Sequence, residues 1–199
     1  MQEIEEALRH IEDNVALGRD VVKGLLQYTR RGEEVFKTTD VVAAFHAALN
    51  MLRFKIHLQN FELEKDFPES LPEIRANGAQ LQEVFFNLVD NAYDSMMQRK
   101  IDLQEEGYSP HLKVKAVLDG ESIKMVFEDN GLGVRPEDKM KLFAPLFTTK
   151  IKHKKGTGLG LYVIKKIVEE NHGGQVQFDS DYMKGARIQI VLPLEGKKI

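Results

Sequence analysis

The 199-residue sequence contains no cysteine, which removes disulfide scaffolds, thiolate zinc sites and cysteine nucleophiles together. No apolar run approaches the roughly 18 residues that a membrane-spanning helix needs, and no signal-peptide pattern opens the chain. Neither charge is in marked excess: 28 Lys and Arg face 31 Asp and Glu, for a formal net charge of -3. A dedicated nucleic-acid binder shows a strong basic excess, so that class is excluded. The chain also lacks G-x-x-x-x-G-K-[ST], which excludes a P-loop, and it carries no repeat or low-complexity tract. What is present suits a folded domain. With 42% hydrophobic and 30% charged residues the chain can bury a core, and its length allows one domain plus a short accessory piece.

Ile4, Leu8, Ile11, Val15, Gly18, Val22 and Leu25 recur at alternating spacings of four and three. That period, near 3.5, is the seam of a coiled coil or helical bundle and predicts a long helix seeking a partner. The rival is a helix lying on its own domain. Arg30, Arg31 and Gly32 read as its basic last turn and cap, which divides the chain into 1–32 and 33–199. Beyond it, Val35 to Lys37 read as a short strand, and Asp40 with the two threonines before it supplies an N-cap for a helix through Leu52. Phe61, Leu63 and Lys65 alternate as a strand, and Asn77-Gly78 opens a second helix through Leu81, Phe85, Leu88 and Ala92. After Pro110 the period becomes two, with a hairpin turn at Asp119-Gly120. A short helix follows Pro136, another runs from about Leu159 to Asn171, and two strands close the chain through Val176 and Phe178, then Ile188 to Leu192. The expected architecture is α+β: a two-layer sandwich with a mixed, largely antiparallel sheet covered by helices on one face.

Three clusters carry chemistry. Asn87 and Asn91 stand one turn apart on a single helix face, with Asp94 beyond them. Amides among apolar neighbours need partners or a ligand, and an amide oxygen is a hard donor suited to Mg²⁺. Surface or capping asparagines are the plainer alternative. Asp129-Asn130-Gly131-Leu132-Gly133 follows a strand and offers a carboxylate beside closely approachable backbone, suited to an exocyclic amine; an Asx turn is the plainer alternative. Gly156-Thr157-Gly158-Leu159-Gly160-Leu161, preceded by four lysines from Lys150 to Lys155, leads into a helix whose N–H groups favour phosphate. A glycine hinge with solvated lysines is its plainer alternative. The G-x-G-x-G spacing is not the dinucleotide fingerprint.

In order, these clusters together with Phe143 and Phe147-Thr148-Thr149-Lys150 resemble the N, G1, F and G2 boxes of the ATP-binding domain of sensor histidine kinases. Gly185 resembles the last glycine box, and the Phe-Thr-Thr-Lys and Asn-Ala-Tyr-Asp-Ser-Met variants look most like the nitrogen-regulation-type subclass. The resemblance covers roughly residues 35 to 195, in a Bergerat-type fold. It implies ATP and Mg as cofactors, with Asn91 the metal ligand and Asn87 beside it. Asp129 would accept from the adenine amine, and Gly131 and Gly133 would shape the base pocket. Thr148, Thr149, Lys150, Gly156, Thr157, Gly158, Leu159, Gly160 and Leu161 would surround the phosphates under a lid over 151–155, with Asp94 at the nucleotide's edge.

Two positions depart from the superfamily. Asn87 stands where related ATPases carry a glutamate base, which favours transfer over hydrolysis, with Glu83 one turn back as an assisting group. Ala186 stands where a threonine is frequent. The resemblance further implies that residues 1–32 are the second helix of a dimerising hairpin, that the phosphoacceptor histidine lies on an upstream helix, and that a response-regulator receiver domain takes the phosphoryl group. His10 lacks the acceptor's sequence context and lies off the seam. A homodimer in a cytoplasmic setting is expected, with any membrane anchor upstream. Rival readings are a same-fold ATPase, a kinase acting on another residue type, and a nucleotide-binding scaffold.

Overall fold

The structure is a computed structural model that describes residues 35–56, 58–149, 157–179, 182 and 184–196. The expected N-terminal helix, His10, Lys150, Gly156 and the lid lie outside the described residues. Strand β1 (Lys37–Thr39) pairs antiparallel with β3 (Ile74–Ala76) in a two-stranded sheet that the sequence reading did not foresee. Between them lie α1 (Val41–Leu52) and β2 (Glu62–Asp66). Asp40 caps α1 as expected, its Oδ1 accepting the Val42 and Ala43 amides at 2.8 and 3.0 Å. Helix α2 (Gly78–Leu103) is capped by Asn77, whose Oδ1 accepts from Ala79 and Gln80. It runs 26 residues, about 39 Å.

Strands β4 (His111–Asp119) and β5 (Ser122–Asp129) form the expected hairpin. A short 3₁₀ turn, Pro136–Lys141, takes the place of the helix expected there. Helix α3 begins as α-helix at Gly160–Lys165 and continues as a π-helical turn over Lys166–Asn171. Strands β6 (Gln175–Phe178) and β7 (Ala186–Pro193) complete a sheet of order β2-β4-β5-β7-β6. Only β2–β4 is parallel; the other pairs are antiparallel.

The helices cover one face. Leu112, Val114 and Ala116 of β4, Ile123, Met125 and Phe127 of β5, and Ile190 and Leu192 of β7 point into the core. Against them pack Leu81, Val84, Phe85, Leu88 and Val89 of α2 and Phe45, Ala48 and Leu49 of α1. Phe45, Phe85 and Phe127 form a ring trio with centroids 5.9 to 6.1 Å apart. Leu118, expected in the alternating core set, is exposed at the hairpin end of β4, opposite Ile123 and next to the Asp119-Gly120 turn. The opposite face carries alternating charges across strands. Lys113 holds Glu64 at 2.6 Å and stands opposite Glu128 in register, and Arg187 pairs with Glu128 and Asp179 at 2.7 and 2.8 Å.

Candidate functional site

The site is assembled at the end of the sheet where β5 terminates, between α2 and α3. On α2, Glu83, Asn87, Asn91 and Asp94 follow one another at helical spacing, all half-buried. The Asn87 Nδ2 donates to the Glu83 carbonyl at 2.9 Å. Gly160, the first residue of α3, faces this pair: a Cβ there would lie 3.3 Å from Asn87 Oδ1 and 3.5 Å from Asn91 Nδ2. The fold therefore brings the asparagine helix and the phosphate-type glycine loop together, although they lie about seventy residues apart in sequence. Burial pushes the Glu83 carboxyl above its ordinary pKa.

Asp129 ends β5 and is 7% exposed. Its Oδ1 accepts the Gly131 amide at 2.8 Å and the Ala186 amide at 3.3 Å, while Oδ2 has no hydrogen-bond partner among the described residues. Burial pushes its pKa up to about 6, against the pull of the two amides. Gly131 lies on α2 so closely that a Cβ would come within 2.7 Å of the Ser95 carbonyl carbon. Ser95 Oγ accepts the Leu132 amide at 3.1 Å, and Arg99 Nη1 donates to the Asn130 carbonyl at 2.9 Å. Asn130 closes the other side: Oδ1 accepts the His111 amide at 2.9 Å and the Tyr108 hydroxyl at 3.1 Å, and Nδ2 donates to Ser109 at 2.8 Å. The loop is a braced ledge beneath the Asp129 carboxylate.

The glycine loop meets the phenylalanine loop. Gly158 has φ +67°, and a Cβ on it would lie 2.7 Å from the Leu146 carbonyl oxygen, so both its dihedral and its neighbour demand glycine. Leu146 itself has φ 63°, a strained conformation for a bulky residue. Thr157 Oγ1 accepts the Leu159 amide at 3.3 Å, and Leu161 packs on the core. Thr148 is half-buried and Thr149 exposed on the same approach. Gly133 rests against Gly185, and Gly185 against the Asp129 carbonyl, so these glycines join the ends of β5 and β7.

Sequence reasoning missed Ser95, Arg99 and Tyr108. The first two continue the Asn87–Asn91 face at spacings of four, the one signal that pointed to them. A cavity of about 350 Å³ lies against the Gly131–Val134 loop, lined by Gly131, Gly133 and Gly185 together with Arg99, Lys139 and Tyr182 among others, and neither asparagine nor Asp129 lines it. The chemistry beside Gly160 suits a magnesium ion shared with phosphates: two neutral amides face it, Asn87 through Oδ1 and Asn91 through Nδ2, and an amide oxygen is a hard donor of the kind that ion takes. Among the described residues there is no cluster of three His, Asp or Glu that would form an all-protein metal cage, and no helix is long and apolar enough to cross a membrane.

Fold and site define a two-layer nucleotide-binding domain built around an asparagine helix and glycine loops. Residues 76–196 match the family described as "Histidine kinase-, DNA gyrase B-, and HSP90-like ATPase", and the chain belongs to it. It is 32% identical over 161 residues to "Sporulation kinase E" of Bacillus subtilis (strain 168), spanning 80% of this chain and 20% of that protein. It is 33% identical over 141 residues to "Sensory histidine kinase/phosphatase NtrB" of Rhizobium meliloti (strain 1021), spanning 68% of this chain and 36% of that protein, in keeping with the nitrogen-regulation resemblance. Among solved structures, the catalytic domain of histidine kinase ThkA superposes with a TM-score of 0.66 at 23% identity, covering 81% of this chain and 97% of that one, which establishes the fold. The chain spans 20% to 36% of these two curated relatives.

Proposed function

We propose that this domain is the catalytic core of a sensor histidine kinase: it binds Mg-ATP and passes the γ-phosphoryl group to a histidine on an upstream acceptor helix, for relay to a receiver-domain aspartate. One observation carries the reading. Asn87 and Asn91 face the start of α3 at Gly160, while the Oδ2 of Asp129, without a partner among the described residues, lies on a braced ledge at the end of β5.

Asp129 Oδ2 accepts from the adenine amine, the base lies against Gly131 and Gly133, and the amides of Gly158, Leu159, Gly160 and Leu161 turn toward the phosphates with Gly156, Thr157, Thr148, Thr149 and Lys150 around them. Asn91 holds Mg²⁺, with Asp94 and Asn87 nearby; the bound ion neutralises phosphate charge. The imidazole nitrogen attacks the γ-phosphorus as the bond to the bridging oxygen breaks, ADP leaves, and the imidazole proton passes to solvent. Asn87 has no basic atom to activate water, which turns the site toward transfer, and Glu83 assists from one turn back. The division into a partial dimerisation segment 1–32 and a catalytic domain 33–199 belongs to the same reading, in which the parent protein acts as a homodimer with this domain in the cytoplasm.

The test supplies the chain with γ-labelled ATP, Mg²⁺ and a separate acceptor hairpin carrying its histidine. Acid-labile phosphate on the hairpin, absent with Asn91→Ala, is expected. Steady release of inorganic phosphate without labelled protein would instead make it an ATPase. Label on this chain alone that vanishes in His10→Ala would move the acceptor to His10.

A further inference from the structure

The end of α3 remote from the glycine loop is fastened to the start of α2, and the fastening runs through a buried histidine. His172 follows the π-helical turn and is 1% exposed. Its Nε2 accepts the backbone N–H of Asn77, the N-cap of α2, at 3.1 Å. Its Nδ1 lies 2.8 Å from the Ile167 carbonyl, which also accepts the His172 backbone amide at 3.1 Å in the five-residue spacing of a π-turn. One ring nitrogen therefore accepts and the other donates, the arrangement of a neutral imidazole with hydrogen on Nδ1. A second bond runs in parallel, from Asn171 Nδ2 to Gln80 Oε1 at 3.1 Å. The Phe36 ring lies over the imidazole with centroids 4.9 Å apart, immediately before β1, and β1 pairs with the β3 strand that leads into Asn77.

The geometry has a lever's consequence. Helices α2 and α3 share the core, with Ile164, Ile167 and Val168 in one buried cluster with Leu81, Val84 and Leu88, and at its two ends they meet at polar stations. At one, His172 and Asn171 hold Asn77 and Gln80; at the other, Gly160 meets Asn87 and Asn91. Along α2 these stations are separated by two to four helical turns, from Gln80 to Asn87 at the shortest and from Asn77 to Asn91 at the longest, about 10–21 Å at the helical rise. The apolar packing leaves one end to be fixed by polar contacts, so the first station trims the angle of α3 and with it the gap between its opening amides and the α2 asparagines. The π-turn lies between the stations, so the chain spends an extra residue per turn to bring His172 onto the α2 cap. The Asp129 ledge is held by Ser95, Arg99, Tyr108 and His111, none of them part of this fastening.

We infer that His172 is a positioning residue for the phosphate half of the site: by latching the far end of α3 to the α2 cap it holds the Gly158–Gly160 amides at the spacing that phosphates and their metal require, and leaves the base half untouched. This rests on the nucleotide reading above, and it separates two parts of one ligand that a general loss of stability would affect together.

The test measures affinities of the whole chain for Mg-ADP and for adenosine, by calorimetry or ligand-observed NMR, at a temperature where each variant is folded. His172→Phe keeps a ring under Phe36 and removes both hydrogen bonds; Asn171→Ala removes the parallel bond at a half-buried position. Mg-ADP binding is expected to weaken about tenfold in His172→Phe, and by a smaller factor in Asn171→Ala, with adenosine affinity unchanged in both. Equal weakening of the two ligands, or unchanged Mg-ADP affinity in both variants, overturns the inference. If His172→Phe does not fold, Asn171→Ala decides alone by the same criterion. A wild-type chain that binds neither ligand overturns the nucleotide reading, and the latch's role with it.

Discussion

Asp129 illustrates how one side chain serves two masters. Oδ1 is committed to the Gly131 and Ala186 amides and shapes the loop, while Oδ2 has no partner among the described residues and, on the proposed reading, serves recognition. In Asp129→Asn the amide oxygen still accepts both backbone donors, but an NH₂ group replaces the acceptor and meets an incoming amine as donor against donor. The variant is expected to lose adenosine binding by about 1–3 kcal/mol while keeping its fold, and to favour inosine, whose base carries a carbonyl at that position, in competition binding. The pH dependence has a definite sign. The folded pKa of about 6 lies above the ordinary 3.8, so between these values the folded state holds a proton that the unfolded chain has released. Stability contributed by the protonated form is therefore lost as pH rises from 4 to 6, about 3 kcal/mol for a shift near two units. Asp129→Asn removes that slope, so the stability difference between variant and wild type, from urea midpoints, should grow in the variant's favour across this window and then level off. A carboxylate at a strand end beside closely approachable backbone was legible from the Asp and the glycines after it. Its pKa was not, because desolvation depends on what β7 and α2 bring over it.

At the scale of elements, the loop after β5 is held by α2 from one side and by the start of β4 from the other. Gly131 is the point of closest approach, and a Cβ there meets backbone and Cβ atoms of Ser95 at 2.7 and 2.8 Å, neither of which a rotamer change can move. Gly131→Ala should therefore cost about 2–3 kcal/mol as an overpacking strain, seen as a lower urea midpoint with unchanged slope, and should displace the ledge enough to weaken adenosine binding. The caps at Asp40 and Asn77, the β4–β5 hairpin and the alternating core positions were readable from residue type and period alone. The parts that were not share a physical reason. A strand was read at Val35–Lys37, close to β1, but β3 and its pairing with β1 were not, because two strands of three residues are defined by each other across 35 to 39 residues of sequence. The π-turn of α3 departs from a pattern that reads as ordinary helix, because the departure is set by His172 reaching the α2 cap rather than by local propensity. Ser95 and Arg99 face the loop only because α2 continues to Leu103, well past the last core position the period had marked at Ala92.

For the molecule as a whole, one sheet face is packed by helices and the other carries the Glu64–Lys113–Glu128–Arg187–Asp179 ladder, whose exposed pairs add little because water and salt screen them. Stability thus comes from the single core between sheet and helices, and the site is a seam in that core, with α2 on one wall and α3 on the other. A ligand bridging both walls should act as a staple on the entire domain. At a free concentration one hundred times its dissociation constant, Mg-ADP should add about 2.7 kcal/mol to the folded state. For a domain of this size that raises the melting temperature by about 5–10 °C, measurable by calorimetry or dye-based melting. Replacing Mg²⁺ with a chelator should remove most of the increment, because in the proposed complex the metal would link the phosphates to the α2 wall. Asn91→Ala should melt near the wild-type temperature without ligand and give a much smaller rise with Mg-ADP, while its response to adenosine stays that of the wild type. A rise in Asn91→Ala equal to that of the wild type would show that the α2 wall is held by something other than the Asn91 oxygen.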